Sequence, residues 1–222
     1  MLFQRLMRCR AGTPLTRRRA GSLVCAAALL AAAGGLPLSA AAATPPAALV
    51  QDFNATLLQA MQNAQRLGYA GRSNLLAPKL YAVFHMPVMA RIAVGSHWRS
   101  LSPEQQAQLV DAFARMTVAT YANRFDGWSG ETFEMRGEEP VREKTVLVKT
   151  ALIRPSDEPV EINYLMREFS DGWRVIDVYL KQAYSELATR RSEYSSIISR
   201  NGFDALIRDM EAKIAEYAQK AQ

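Results

Sequence analysis

Cysteine is nearly missing from this 222-residue chain. Cys9 and Cys25 are its two cysteines, and both fall within the first 43 residues. From residue 44 onward that excludes disulfides, thiolate metal sites and cysteine nucleophiles together. Histidine is equally scarce: His85 and His97 are the two present, with no acidic cluster between them. Two isolated imidazoles give no metal-ligand spacing, so the sequence names no metal and no cofactor. The chain also lacks a Gly-rich phosphate loop, a His-x-x-x-His pair and a Gly-x-Ser-x-Gly turn. After residue 43 no stretch is long and apolar enough to span a bilayer.

Acidic residues are absent from one region. The formal charge of +6 comes from 27 Lys and Arg against 21 Asp and Glu, but residues 1–43 hold six Arg and no acid. Removing those six leaves 21 basic against 21 acidic residues, so the remainder is neutral and a nucleic-acid partner loses its support. Arg5, Arg8, Arg10 and Arg17 to Arg19 precede the short apolar run Leu23 to Leu30, and Ala40 to Ala43 close the segment. Basic start, short apolar middle and small-residue end describe a cleaved secretory signal peptide over residues 1–43, cut after Ala43 or alternatively after Ala40. An uncleaved anchor is the competing reading, weakened by the Ala/Gly composition and by Pro37. Export without disulfides points to the periplasm of a Gram-negative cell. Residues 44–222 are long enough for one domain with its own core.

Within that span the period changes twice. Ala47 to Leu67 reads as a helix with Leu49, Phe53, Leu57 and Met61 on one face, broken by Gly68 and Gly71. Ser73 to Phe84 reads as a second helix interrupted near Pro78. The apolar run Phe84 to Gly95 and the link Ser96 to Leu101 lead into a long helix. Ser102 and Gln105 have capping-box spacing and Pro103 sits at the first helical position. Leu109, Phe113, Met116 and Thr120 form one stripe of that helix; Val110, Phe113, Thr117 and Tyr121 form another, ending at Asp126-Gly127. From Gly130 the period becomes two. Strands are expected over 131–136, 145–153, 160–167 and 173–180, joined by turns that imply antiparallel pairing. Helices resume from Ala183 to Arg200 and from Phe203 to Ala221. Helices over 46–126, a sheet over 131–181 and helices over 183–221 make an α+β fold, with helices packed on one sheet face.

Two features carry chemistry. Asp177 stands in the most apolar strand, between Ile176 and Val178, so it must be hydrogen-bonded or paired; a structural tie is the plain reading and a general base the sharper one. Met86, Met89, Met116, Met135 and Met166 fall in segments that face each other. Methionine fills either an ordinary core or an adaptable cavity. Arg190 and Arg191 read as exposed cations suited to docking or to a charged head group; a solvated helix face explains them equally well.

Several ordered segments now give a resemblance. They are Met89 to Trp98, Ser102 to Gln106 with Phe113 and Tyr121, Val160 to Arg167, Gly172 to Val178, and finally Tyr194, Arg200-Asn201-Gly202 and Leu206-Ile207. Together they resemble the MlaC, or toluene-tolerance, family over nearly all of residues 44–222. Leu67 to Arg72 and Val148 to Pro155 resemble its hopanoid-associated HpnM branch. The resemblance implies a curved antiparallel sheet of about four strands wrapped by N- and C-terminal helices around an apolar cavity, NTF2-like with an added helical part. It implies a periplasmic carrier of phospholipid or hopanoid. Such a carrier would move between an outer-membrane lipoprotein complex and an inner-membrane ABC or RND-type transporter, and would act as a monomer without catalysis. Carried onto this chain, the lipid-binding candidates are Met89, Ile92, Val94, Trp98, Phe113, Met116, Tyr121, Val148, Leu152, Ile162, Tyr164, Met166, Val175 and Val178. Which strand face is concave stays open, because a one-residue phase error exchanges the faces.

Two further readings compete with the carrier. One is an enzyme on the same scaffold using Asp177 and Tyr164. The other is a non-catalytic periplasmic adaptor with a filled core and an exposed apolar patch.

Overall fold

The computed structural model describes residues 44–181 and 184–219; the expected signal segment lies outside the described residues. Helix α1 (Pro46–Gln62) is followed by α2 (Ala64–Val83), α3 (Met86–Val94) and a 3₁₀ turn (Gly95–Ser100), then by the long α4 (Pro103–Arg124). The strands are β1 (Thr132–Arg142), β2 (Thr145–Arg154), β3 (Asp157–Phe169), β4 (Gly172–Leu180) and the two-residue β5 (Tyr184–Ser185). Helices α5 (Glu186–Asn201) and α6 (Phe203–Gln219) complete the described order.

Helix α4 forms as its sequence dictates. Ser102 Oγ accepts from the Gln105 amide at 3.2 Å and Gln105 Oε1 accepts from the Ser102 amide at 3.0 Å, closing the capping box. Nine of its 22 residues are buried, which makes it the packing centre for α2, α3 and α6. Helix α1 differs from the expectation by stopping at Asn63 and resuming one residue later as α2. Gly68 departs from helical geometry (φ 60°, ψ −174°), but Gly71 does not, and Pro78 interrupts nothing. Pro78 removes a single backbone bond, while Leu76 and Leu80 on either side are fully buried and hold the helix down. Arg72 secures the bend: its Nη1 donates to the Ala64 carbonyl across Gly68 and its Nε to the Ala122 carbonyl of α4.

The sheet is antiparallel, in the order β1-β2-β3-β4-β5. Strand β1 runs six residues beyond the expected end at Arg136 because it follows β2 as an edge, with bulges beside Gly137 and Pro140. A further bulge sits in β4. Tyr164 pairs with Val178 and Leu165 with Asp177, yet Met166 pairs with Val175, so Ile176 is the extra residue. That bulge puts Val175 and Val178 on the same face although they are three apart. Their shared face carries Val148, Leu152, Ile162, Tyr164 and Met166, and it packs against the helices. Strand β5 was not expected. By pairing with β4 it delays the next helix from Ala183 to Glu186, where Ser185 is the N-cap.

Candidate functional site

Along α4, Phe113, Thr117, Thr120, Tyr121 and Arg124 recur at helical spacing on one side. That side faces the inner sheet surface across a cavity. Phe84 and Met89 close it from the α2–α3 corner, Ile162, Tyr164 and Val178 from the sheet, and Glu186, Leu187 and Arg190 from α5, with Phe125 beyond the end of α4. The Thr117 hydroxyl donates to the Phe113 carbonyl (2.8 Å) and the Thr120 hydroxyl to that of Met116 (2.7 Å). Both hydroxyls are thereby satisfied within their own helix, so the cavity wall is apolar there.

An aromatic cluster forms one side of this space. Phe53 meets Phe84, Tyr121 and Tyr164 edge-on at centroid distances of 5.3, 5.7 and 5.9 Å, and Tyr121 stacks on Phe125 at 5.6 Å. The Tyr164 hydroxyl donates to Asn54 Oδ1 at 3.1 Å. Burial holds the Tyr121 and Tyr164 phenols well above their ordinary values, so both stay neutral. The cavity has a volume of about 40 Å³. At roughly 10–15 Å³ per water centre it accommodates a few waters.

One end of the cavity is charged. Arg124 Nη1 lies 3.5 Å from Glu186 Oε2. Arg190 Nη1 donates to the Tyr194 hydroxyl at 2.9 Å, its guanidinium 5.9 Å from that ring's centroid. Burial pushes the Arg124 guanidinium down to about 10, opposed by Glu186 and helped by Arg190. Burial lowers that of Arg190 too, but Tyr194 and Glu186 outweigh it and leave the value raised. Arg190 is therefore not the exposed cation read from the sequence, whereas Arg191 is exposed.

Of the fourteen candidates, the cavity brings together Met89, Phe113, Tyr121, Ile162, Tyr164 and Val178. Val148, Leu152, Met166 and Val175 share the inner sheet face but are packed into the core away from the cavity, and Val94 and Met116 are likewise buried outside it. Ile92 is half-buried. Trp98 lines a separate open groove with Tyr81, Met86, Val110 and Ala114. Most of the methionines are core: Met86, Met116 and Met166 are buried, and of the five only Met89 reaches the cavity. Sequence reasoning missed Phe84, Thr117, Thr120, Arg124, Phe125, Glu186, Leu187 and Arg190 as cavity residues. Extending the Phe113–Thr117–Tyr121 stripe by one turn reaches Arg124, so that signal was present.

Asp177 has the structural role. Its Oδ1 accepts from the Val178 amide (2.8 Å) and the Leu187 amide (3.3 Å), and its Oδ2 from the Ser185 hydroxyl (2.6 Å). It ties β4 to the first turn of α5. Leu165 pairs with Asp177 while Tyr164 pairs with Val178, so Tyr164 and Asp177 project from opposite sheet faces. The constellation that the enzyme reading needs is not assembled. His85 accepts from the Val88 amide at 3.2 Å and stacks on Phe169 at 4.2 Å. Among the described residues no group of three His, Cys, Asp or Glu is placed to hold a metal, and no helix is long and apolar enough to cross a membrane.

The model of the family described as MlaC protein matches residues 51–212. Among solved structures, the phospholipid-binding protein from Ralstonia solanacearum, in complex with a phospholipid, is similar with a TM-score of 0.69 at 21% identity. The match covers 79% of this chain and 99% of that one. At that identity the likeness is one of fold.

Proposed function

Because the chain belongs to the MlaC family, we propose that it is a non-catalytic carrier of phospholipid that holds acyl chains between its sheet and α4. The observation that carries this reading is the apolar cavity itself, walled by Phe84, Met89, Phe113, Ile162, Tyr164 and Val178, with Arg124, Glu186 and Arg190 also in its lining. The Ralstonia solanacearum protein, alike in fold, holds a phospholipid, which supports the same cargo here.

The energetics suit a carrier. Each buried CH₂ contributes about 0.8 kcal/mol, so a sixteen-carbon chain gives about 12 kcal/mol of gross transfer free energy. The cavity of about 40 Å³ must widen to accept such a chain, and that gross term is large enough to offset separating a few packed side chains. The exported chain would work in the periplasm as a monomer, receiving and delivering lipid between an outer-membrane lipoprotein complex and an inner-membrane transporter.

Native mass spectrometry of the protein purified from its periplasm tests this, followed by extraction of whatever is bound. A stoichiometric diacyl phospholipid is expected. Protein that emerges empty and takes up neither phospholipid nor hopanoid from vesicles overturns the carrier reading.

A further inference from the structure

Two arginines and one glutamate share the end of an otherwise apolar cavity, which leaves an excess of one positive charge there. Helix placement explains part of this. Arg124 lies in the last turn of α4 and Glu186 in the first turn of α5, each favoured by its helix dipole. Arg190 has no such reason. It stands one turn inside α5, half-buried on the cavity wall; its hydrogen bond is to the neutral Tyr194 hydroxyl, and Glu186 and Glu193 act on it from farther off. An anion in direct contact would hold this cation more strongly than that hydroxyl does.

We propose that Arg124 and Arg190 receive the phosphate of a phospholipid head group, with Glu186 as the counter-ion that yields Arg124 when the phosphate arrives. This rests on the carrier reading and adds its specificity: cargo with a phosphate is selected over neutral lipid bearing the same chains. The chemistry fits. A guanidinium presents paired N–H donors that match two phosphate oxygens, and an anionic acceptor makes such bonds about twice as strong as neutral ones. One phosphodiester charge also cancels the net charge of the three side chains. The chains would then run from this end toward Phe113, Ile162 and Tyr164.

Free phosphate offers the same chemistry, so the test separates the sources. Delipidated protein is offered micelles holding equal amounts of dipalmitoyl phosphatidylglycerol and dipalmitoylglycerol, and native mass spectrometry reads the ratio bound. The wild-type protein is expected to favour phosphatidylglycerol by about tenfold or more. Arg190→Gln and Arg124→Gln should each remove most of that preference, read as the bound ratio of the two lipids. Glu186→Gln should increase the preference, a gain that misfolding cannot mimic. Glycerol phosphate without acyl chains should not bind at the same concentration. Equal uptake of the two lipids by wild type, a preference unchanged in the arginine variants, or glycerol phosphate binding as tightly as the lipid each overturns the inference and leaves the carrier reading standing. Uptake of neither lipid overturns both.

Discussion

Asp177 shows how one buried carboxylate is used without chemistry. It accepts three hydrogen bonds, two of them from backbone amides that would otherwise be orphaned at the β4–α5 junction. Burial nonetheless pushes its carboxyl above the ordinary value, with Ser185 and the Val178 and Leu187 amides pulling the other way. Since the folded-state value lies above the unfolded one, the folded chain holds the proton more tightly. Stability from this group is therefore fullest below the ordinary carboxylate range and falls as pH rises through the raised value. Asp177→Asn keeps an acceptor oxygen for the amides and should flatten that decline. Asp177→Ala leaves the Val178 and Leu187 amides unpaired and should cost about 2–3 kcal/mol, while the Asn variant costs less than about 1 kcal/mol. Urea unfolding across the acid range reads both. An Asn variant as unstable as the Ala variant would mean that the tie needs the negative charge itself, against this account.

Among the elements, α4 decides the cavity. Its stripes and capping box were legible in the sequence because a helix start and a 3.6-residue period depend on local chemistry alone. The strand cores were legible for the same reason, and the inner faces of β2 and β3 follow simple alternation. The bulge at Ile176 was not legible, since nothing in Trp173 to Leu180 marks where the phase slips; pairing with β3 determines it. Nor was the α5 start, because Tyr184 and Ser185 become a strand only once β4 is beside them. Glu186, Leu187 and Arg190 lay inside the expected helix, and Arg190 was read as suited to a head group, but nothing local marks which side of that helix meets the cavity. Thr117 and Thr120 were visible on the stripes, but their turned-back hydroxyls are a detail of the folded helix. They leave small side chains where the cavity is. Thr120→Leu should therefore fill it, lowering lipid occupancy by about tenfold or more. The melting temperature of the empty protein should stay within a few degrees, as a methylene or two fits a void of this size. Undiminished occupancy in mass spectrometry would place the chains elsewhere. Ser102→Ala tests the cap separately and should cost about 1 kcal/mol in urea unfolding without changing occupancy.

For the whole molecule the question is which wall yields when a chain enters so small a space. The helices differ in how firmly they are held. Nine residues of α4 are buried, yet only Leu187 and Tyr194 are buried in the 16 residues of α5. Opening a segment costs least where it buries least apolar surface. Helix α4 is also locked by Arg72 to α2 and by the Arg115–Glu211 ion pair to α6, whereas α5, packed on α3, α6 and β4, is tied at its start by Asp177 and by the Arg124–Glu186 ion pair. The sheet is held together by the antiparallel ladders along β1 to β4. Helix α5 is therefore the wall expected to give way, carrying Arg190 and Glu186 with it, and cargo would then enter where the head group is held. Amide hydrogen exchange should report this directly. In the empty protein, amides within residues 186–201 should exchange faster than those within 103–124, and loading with phosphatidylglycerol should slow the first set while leaving the second nearly unchanged. Equal protection of both helices before and after loading would show that the cavity opens along the sheet instead.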